Sequence, residues 1–546
     1  MTLERRSDSV RSESAHGRAA ALGGLIGLVL LLFFIGVALA SLLMETAGNG
    51  LPVLAPATLS ILRFTLWQAL LSTLLSVVFA LPVALSLARQ RRFPGRLLLI
   101  RLMAVPMGLP VLIGALGLLG IWGRNGVINQ GLALLGVQAP VSIYGLAGIL
   151  LAHVFFNMPL AARLMLAGLE RLPPEYWQMA ASLGMRRRAI FRLIEWPAVS
   201  GLLPGIAGLI FMLCATSFTL VLILGGGPGA TTLEVAIYQA LRFDFDPPQA
   251  VALAALQLAV TALMLLLLTL WPAPPEVGLT DQRPTRRFDG ESWSARLKDG
   301  LWLGLAFLFL AAPLAQVLLS GLRSNLVSLL SDPAVHQALA VSLGIALPSG
   351  LVAVLLSFAF SRARIALARA SGLPARLLKA GIGAASSLVL LVPAIVIATG
   401  WFLLLRRFGN VAIFAAPVVI LINAMMALPF AMRVLQPAVD VHHRRHDRLA
   451  ESLGLSGFSR LRWVDWPGLK RPLLTALSFA MALSLGDLGA VALFGADRLT
   501  TLPWLIFSRL GHYRSADADG LALLLGLVCL LLTLIGQPGR AGENRR

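Results

Sequence analysis

A single pattern of punctuation occurs twice in this chain at a constant offset. Pro159, Arg163, Gly184 and Trp196-Pro197 recur 270 residues later as Pro429, Arg433, Gly454 and Trp466-Pro467. Glu170 and Glu195 return as the acids Asp440 and Asp465, Leu224-Gly225 as Phe494-Gly495, and Thr231-Thr232-Leu233, with one residue of slippage, as Thr500-Thr501-Leu502. A chain duplicated in this way folds as two copies of one unit. Each copy carries a polar segment, 163–200 or 433–471, inside an otherwise oily sequence.

The chain has 546 residues, 58% of them hydrophobic and only 13% charged. Soluble domains carry about 25% charged residues. Apolar runs recur that can cross a hydrocarbon layer about 30 Å thick, which takes about 20 helical residues. A transmembrane β-barrel would instead show short alternating segments. The expected fold is therefore an all-α integral membrane protein with about 12 transmembrane helices. They fall at 20–43, 60–87, 99–122, 141–162, 201–225, 249–271, 301–322, 338–360, 380–405, 412–432, 472–495 and 518–536. Two tandem six-helix repeats of equal orientation, 20–271 and 301–536, are joined by a linker at 272–300, with tails at 1–19 and 537–546. The 19–43 run is longer than a signal-peptide core, so it reads as a retained span.

The net charge of +20 is a topology signal. With the N-terminus inside, 36 of the 45 Lys and Arg residues fall on the inner loops and tails, as the positive-inside rule requires. Phospholipid head groups are their expected neighbours, and nucleic acid is not. Both termini are then cytoplasmic. Cys214 and Cys529 fall in spans of different halves, so no disulfide is expected.

Within the first polar segment, Pro173-Pro174 stops the incoming helix. A short helix over 175–183 follows, with Glu175 at its favourable N-terminal end. Gly184 supplies the left-handed residue of a C-cap. A second helix over 186–195 is expected to end at Pro197. The second copy is expected to repeat the plan, with a helix over 445–453, Gly454, a helix over 456–465 capped by Ser456, and Pro467. Taken singly, each segment also reads as an amphipathic helix lying on head groups. The duplicated spacing points instead to two copies of one docking surface. The small residues Ala180, Ala181, Ser182, Ala450 and Ser452 allow close approach, and the basic clusters 186–188 and Arg460/Arg462 can meet an acidic rim.

These residues resemble a known family. The order Ala-x-x-Leu-Gly, followed by Pro thirteen residues after the Gly, is similar to the cytoplasmic loop of ABC-importer permeases. That family's loop, the coupling helix, sits in a groove of an ATP-hydrolysing subunit. The resemblance implies a type I importer fold and places ATPase coupling on Gln178, Ala180, Ala181, Gly184 and Pro197, and on Arg448, Ala450, Gly454 and Pro467. The family's loop usually begins with Glu; Gln178 and Arg448 stand there in this chain. Two loops on one chain match fused permeases of the iron(III) and thiamine type. Three segments resemble the thiamine branch: 150–159, 224–241 and 484–495. The resemblance implies a bacterial inner-membrane subunit working with two copies of an ABC ATPase and a periplasmic solute-binding protein, with a thiamine-class small molecule as cargo. The alternatives in sequence terms are an iron(III) or other small-solute importer of the same design, and a secondary transporter of two parallel repeats. The latter has no need of matched docking loops.

A Walker A loop needs Gly directly before its Lys; Lys298, Lys379 and Lys470 each follow Leu. No cofactor is expected on this chain, ATP being used by the partner, and no catalytic or metal-ligating set stands out. His442, His443 and His446 lie among Arg444, Arg445 and Arg448, which repel a cation. Ionisable groups within spans are functional candidates. Asp487, between Gly486 and Gly489, could meet a cationic thiazolium or serve as a structural carboxylate. Glu234, Asn157 and Tyr238 complete the candidate substrate pathway. His153 and Asn157, one turn apart, also suit interhelical hydrogen bonding, and Tyr238 and Trp401 suit either stacking on a ligand or interface anchoring.

Overall fold

The structure is a computed structural model describing residues 2–49, 56–137, 141–270, 287–368, 372–409, 411–455, 457–495, 499–512 and 514–536. Every regular element among them is helical. In hydrocarbon a backbone must satisfy its own hydrogen bonds, which a helix does within one segment. Nine helices among the described residues are long and apolar enough to cross a membrane, or ten if the bent pair Arg187–Ser200 and Leu203–Ala215 counts as one span. The expected spans at 380–405 and 472–495 are instead broken helices: Leu373–Leu391 with Ala394–Arg407, and Trp466–Leu485 with Gly489–Phe494. Pro393 stands at the first break, where its missing N–H stops the helix from running on. The third span is displaced, running over Val111–Leu134 rather than 99–122.

The chain packs as two compact units, and neither is a contiguous half. One comprises Val53–Ala236 with Ala255–Ser324, the other Met1–Pro52 and Ile237–Ala254 with Asn325–Arg546. Each contains the opening helix of the other repeat. In the first unit the Trp293–Arg323 helix packs on Pro56–Arg89 and Val111–Trp122; in the second, Thr2–Asn49 packs on Pro333–Ala368 and Ala394–Arg407. A glycine carries each crossing. A Cβ on Gly117 would lie 2.5 Å from the Pro313 carbonyl oxygen, and one on Gly400 would lie 2.3 Å from that of Ala38. Without a hydrophobic force between helices in lipid, such backbone-on-backbone approach is a main source of association.

The repeat is visible in hydrogen bonding too. After the glycine turn of each copy, a short helix begins with its first N–H bonded to a hydroxyl from the copy's second long helix. Leu233 N donates to Thr65 Oγ1 at 3.0 Å, and Leu502 N donates to Ser342 Oγ at 2.8 Å.

Candidate functional site

The two polar segments share a shell. Gly184 and Gly454 have φ of +58° and +63°, a left-handed conformation that disfavours any residue with a Cβ. In both, the residue after the glycine closes a Schellman bond to a carbonyl five positions back: Met185 N to Ala180 O at 3.0 Å, and Leu455 N to Ala450 O at 2.9 Å. The Pro174–Ser182 and Val411–Ser452 helices are thereby ended and their last carbonyls satisfied.

Beyond the glycine, both copies carry a π-helical turn, Phe191–Glu195 and Leu461–Asp465. Trp196 N donates to Phe191 O and Trp466 N to Leu461 O, five residues back. Pro197 and Pro467 follow immediately. A proline in a regular helix lacks its N–H and clashes with the carbonyl four residues earlier; the extra residue of a π-turn moves that carbonyl aside. The expectation that Pro197 ends a 186–195 helix is therefore corrected: the chain continues as Trp196–Ser200, with the proline in its first turn.

The second copy departs from the expected plan on its near side. The transmembrane helix runs unbroken over Val411–Ser452, whereas in the first copy Leu146–Glu170 stops and Pro174–Ser182 starts anew. The positions matching Pro173-Pro174 are His443-Arg444, which keep the N–H groups a helix needs. Ser456 lies outside the described residues, as do the linker residues 271–286 and the side chain of Arg448.

Both segments face outward with a like pair of apolar residues one turn apart. Met179 and Leu183 are 57% and 69% exposed; Leu449 and Leu453 are 58% and 63% exposed. Gln178 and Ala181 are exposed on the same helix. Ala180 and Ala450 point inward, each 1% exposed, so they are spacers and not part of the outer surface. The exposed pairs are absent from the sequence reading. Their signal was an i, i+4 apolar pair in a polar segment, which faces one direction on a helix.

Behind the first helix lies a buried clamp. Trp177, Ala180 and Ile190 form a small core, with Leu172, Met185 and Ile194 packed around it. The guanidinium of Arg287, from the end of the linker, sits 3.8 Å over the Trp177 ring. Its Nη2 donates to Glu195 at 2.6 Å and to Asp289 at 2.7 Å. Burial pulls the Arg287 pKa down, but Asp289 and Glu195 more than offset this, and it stands above the ordinary guanidinium value. Arg89, ending the Pro56–Arg89 helix, reaches Asp299 at 2.5 Å, Asp289 at 3.4 Å and Glu195 at 3.8 Å. Arg187 joins Asp299 at 3.0 Å. Three arginines and three carboxylates thus tie the segment to both the second span and the linker.

The second copy keeps the acid and changes its company. Asp465 accepts from His442 Nε2 at 3.1 Å and lies 3.4 Å from Arg362 and 3.5 Å from Arg460. Asp447 pairs with Arg460 and with His443. His442 and His443 are thus engaged by carboxylates, while His446 Nδ1 lies 3.1 Å from the His442 carbonyl oxygen.

The candidate pathway residues fall two in each unit. In the first, Asn157 is buried and its amide donates to Cys214 Sγ at 3.4 Å; His153, one turn away, bonds Ser72 Oγ at 2.8 Å. Glu234 is buried at the start of the Leu233–Arg242 helix. In the second unit Tyr238 is buried, edge-on to Phe243 at 5.6 Å. Asp487 Oδ1 accepts from Gly489 N at 3.1 Å, while its Oδ2 is buried with no hydrogen-bond partner among the described residues. Trp401 is stacked on Phe34 at 4.9 Å, its indole N–H bonded to the Phe34 carbonyl.

Comparison with known proteins matches both repeats to one family. Residues 80–271 and 339–537 each fit the family described as "Binding-protein-dependent transport system inner membrane component". The chain is 49% identical to the thiamine transport system permease protein ThiP of Brucella abortus (strain 2308), over 98% of both chains. It is 44% identical to ThiP of Salmonella typhimurium over 89% of this chain and 90% of that one, and 45% identical to ThiP of Escherichia coli K12 over 88% and 89%. The duplicated polar segments, the all-helical spans and these matches agree: the chain belongs to the family of binding-protein-dependent transport system inner membrane components.

Proposed function

We propose that this chain is the membrane-spanning permease of an ATP-driven importer of thiamine or its phosphates, working in the bacterial inner membrane with both termini cytoplasmic. The observation that carries the docking part of this reading is the like pair of exposed apolar residues on each segment. Met179 with Leu183, and Leu449 with Leu453, project from helices whose ends are fixed by a left-handed glycine. We assign each pair to a groove on one of two copies of an ATPase subunit, which binds the ATP. Closure of the two ATPase subunits on nucleotide would then push both segments, and the π-turns and Trp-Pro corners would pass the movement to the spans.

The cargo assignment rests on the thiamine permeases to which the chain is similar over nearly its full length. A periplasmic solute-binding protein would deliver the ligand. Asp487 is the residue we assign to the cation of the thiazolium ring. Its Oδ2 is a buried carboxylate oxygen lacking a hydrogen bond among the described residues, a costly state that a passing cation relieves. Asn157, Glu234 and Tyr238 are assigned to the same pathway. The test is uptake of radiolabelled thiamine by cells lacking their own transporter and given this chain with its ATPase and binding protein. Accumulation that needs all three, and falls at least tenfold in Asp487→Ala while the binding protein still holds thiamine, supports the reading. Accumulation of iron(III) or another solute in place of thiamine would refute the cargo.

A further inference from the structure

The first unit contains a cleft of about 930 Å³ between the turn that follows the Pro56–Arg89 helix and the start of the Trp293–Arg323 helix. This lies within the range of about 300–1,000 Å³ typical of ligand sites. Arg91, Arg92 and Arg296 line the cleft together with Glu291. Arg89 and Arg287 form the back wall, but the clamp carboxylates already engage them. Arg91, Arg92 and Arg296 make no ion pair with a carboxylate among the described residues, so the lining carries an excess of two positive charges over Glu291. Along the Trp293–Arg323 helix the lining turns from Arg296 to the apolar Leu303 and Phe307, and Leu98 adds to its apolar part.

The helix wall is grooved. Gly300, Gly304 and Phe307 recur at i, i+4 and i+7 along the cleft, and a Cβ on Gly300 or Gly304 would meet nothing within 4 Å. One position round the same helix, Leu301, Leu305 and Leu308 are exposed. The groove therefore runs from a cationic part onto open apolar helix surface on a segment that qualifies as a membrane span. A free phosphate or nucleotide would use the first part and has no use for the second. A glycerophospholipid uses both, with its phosphate among the arginines and its acyl chains along the leucines.

We propose that this cleft is a binding site for one anionic glycerophospholipid, such as phosphatidylglycerol. The phosphate accepts hydrogen bonds from Arg92 and Arg296, with Arg91 behind it, and the glycerol backbone lies in the groove left by Gly300 and Gly304. Charge-assisted guanidinium–phosphate bonds supply the headgroup preference, and the apolar groove supplies the chain contacts.

The test is native mass spectrometry of the full-length chain, released from detergent after incubation with equal amounts of dioleoyl phosphatidylglycerol and dioleoyl phosphatidylcholine. The expected result is a retained adduct favouring phosphatidylglycerol by at least tenfold. Arg92→Glu with Arg296→Glu is expected to abolish that preference. Gly304→Trp keeps every arginine and directs a ring into open space; it is expected to lower retention of both lipids while leaving the thermal unfolding of lipid-free protein unchanged. Equal retention of the two lipids by the unaltered chain would overturn the proposal. So would retention unaffected by both substitutions, or complete displacement of phosphatidylglycerol by 10 mM inorganic phosphate, which would mark a simple anion site.

Discussion

The two polar segments present the same exterior on different interiors. Outside, each offers an apolar pair one turn apart, a left-handed glycine and a π-turn running into Trp-Pro. Inside, the first is held by Arg287, which reaches back from the linker to Trp177 and Glu195. The second is held by its own continuous helix, with His442, Arg362 and Arg460 around Asp465. On the surface assigned above to a partner, the two copies are alike. Where only a rigid base is needed, they have found different solutions. In the first copy the helix is broken at two prolines and the short helix is tied to the linker by Arg287; in the second the helix is continuous and Arg362 ties the segment to the Pro333–Ala368 helix.

The sharpest test of this contrast removes the acid common to both. Arg287 is 1% exposed at its side chain and Arg362 is 25% exposed. Glu195→Ala leaves Arg287 and Arg89 buried with reduced compensation, and is expected to cost about 3–5 kcal/mol. Asp465→Ala leaves more accessible cations and a neutralisable histidine, and is expected to cost about 1–3 kcal/mol. Thermal unfolding of the purified variants orders the two; equal losses would break the contrast.

Exchanging the prolines comes next. His443→Pro with Arg444→Pro puts two prolines inside the Val411–Ser452 helix, at about 3 kcal/mol or more. Pro173→Ala with Pro174→Ala relaxes a site already suited to proline, at about 0.4–1 kcal/mol per residue. Unfolding midpoints read both, and comparable effects would show that the break in the first copy is not set by its prolines.

Gly184→Val and Gly454→Val test the shared exterior instead. Each forces a β-branched residue toward left-handed backbone, costing about 1–2 kcal/mol. The two are expected to be equivalent, and each to let ATP hydrolysis run without uptake. Normal coupled transport in either variant would contradict the coupling role proposed for the two segments. The smallest expected effect is from Thr65→Ala and Ser342→Ala. Each removes the hydroxyl that accepts Leu233 N or Leu502 N, and the two are expected to cost about 1 kcal/mol alike. A large difference between them would show that the repeat is less symmetric there than its hydrogen bonds suggest.

Much of this was legible in the sequence because it is local. Gly184 and Gly454 follow directly from helix C-capping, and Pro173-Pro174 from the missing N–H. The all-helical class follows from the long apolar runs. What was not legible depends on contacts between distant positions. Arg287 meets Glu195 across 92 residues, and no periodicity marks that pairing. The exchange of opening helices between the repeats cannot be read from spans of equal length. The π-turns were hidden because proline reads as a helix stop, when an extra residue before it lets the helix pass. Small residues such as Ala180 and Ala450 suit both close docking and close packing in a sequence, and only their burial in the fold separates the two.

In the proposed importer, two equivalent surfaces grip one kind of motor subunit. The direct measurement places a single cysteine at Met179 or at Leu449 and looks for disulfide crosslinks to matching cysteines in the ATPase subunit, with and without nucleotide. Crosslinks of similar yield from both positions, changing together when ATP is bound, are the predicted result. A crosslink from one position alone, or from neither, would contradict the account.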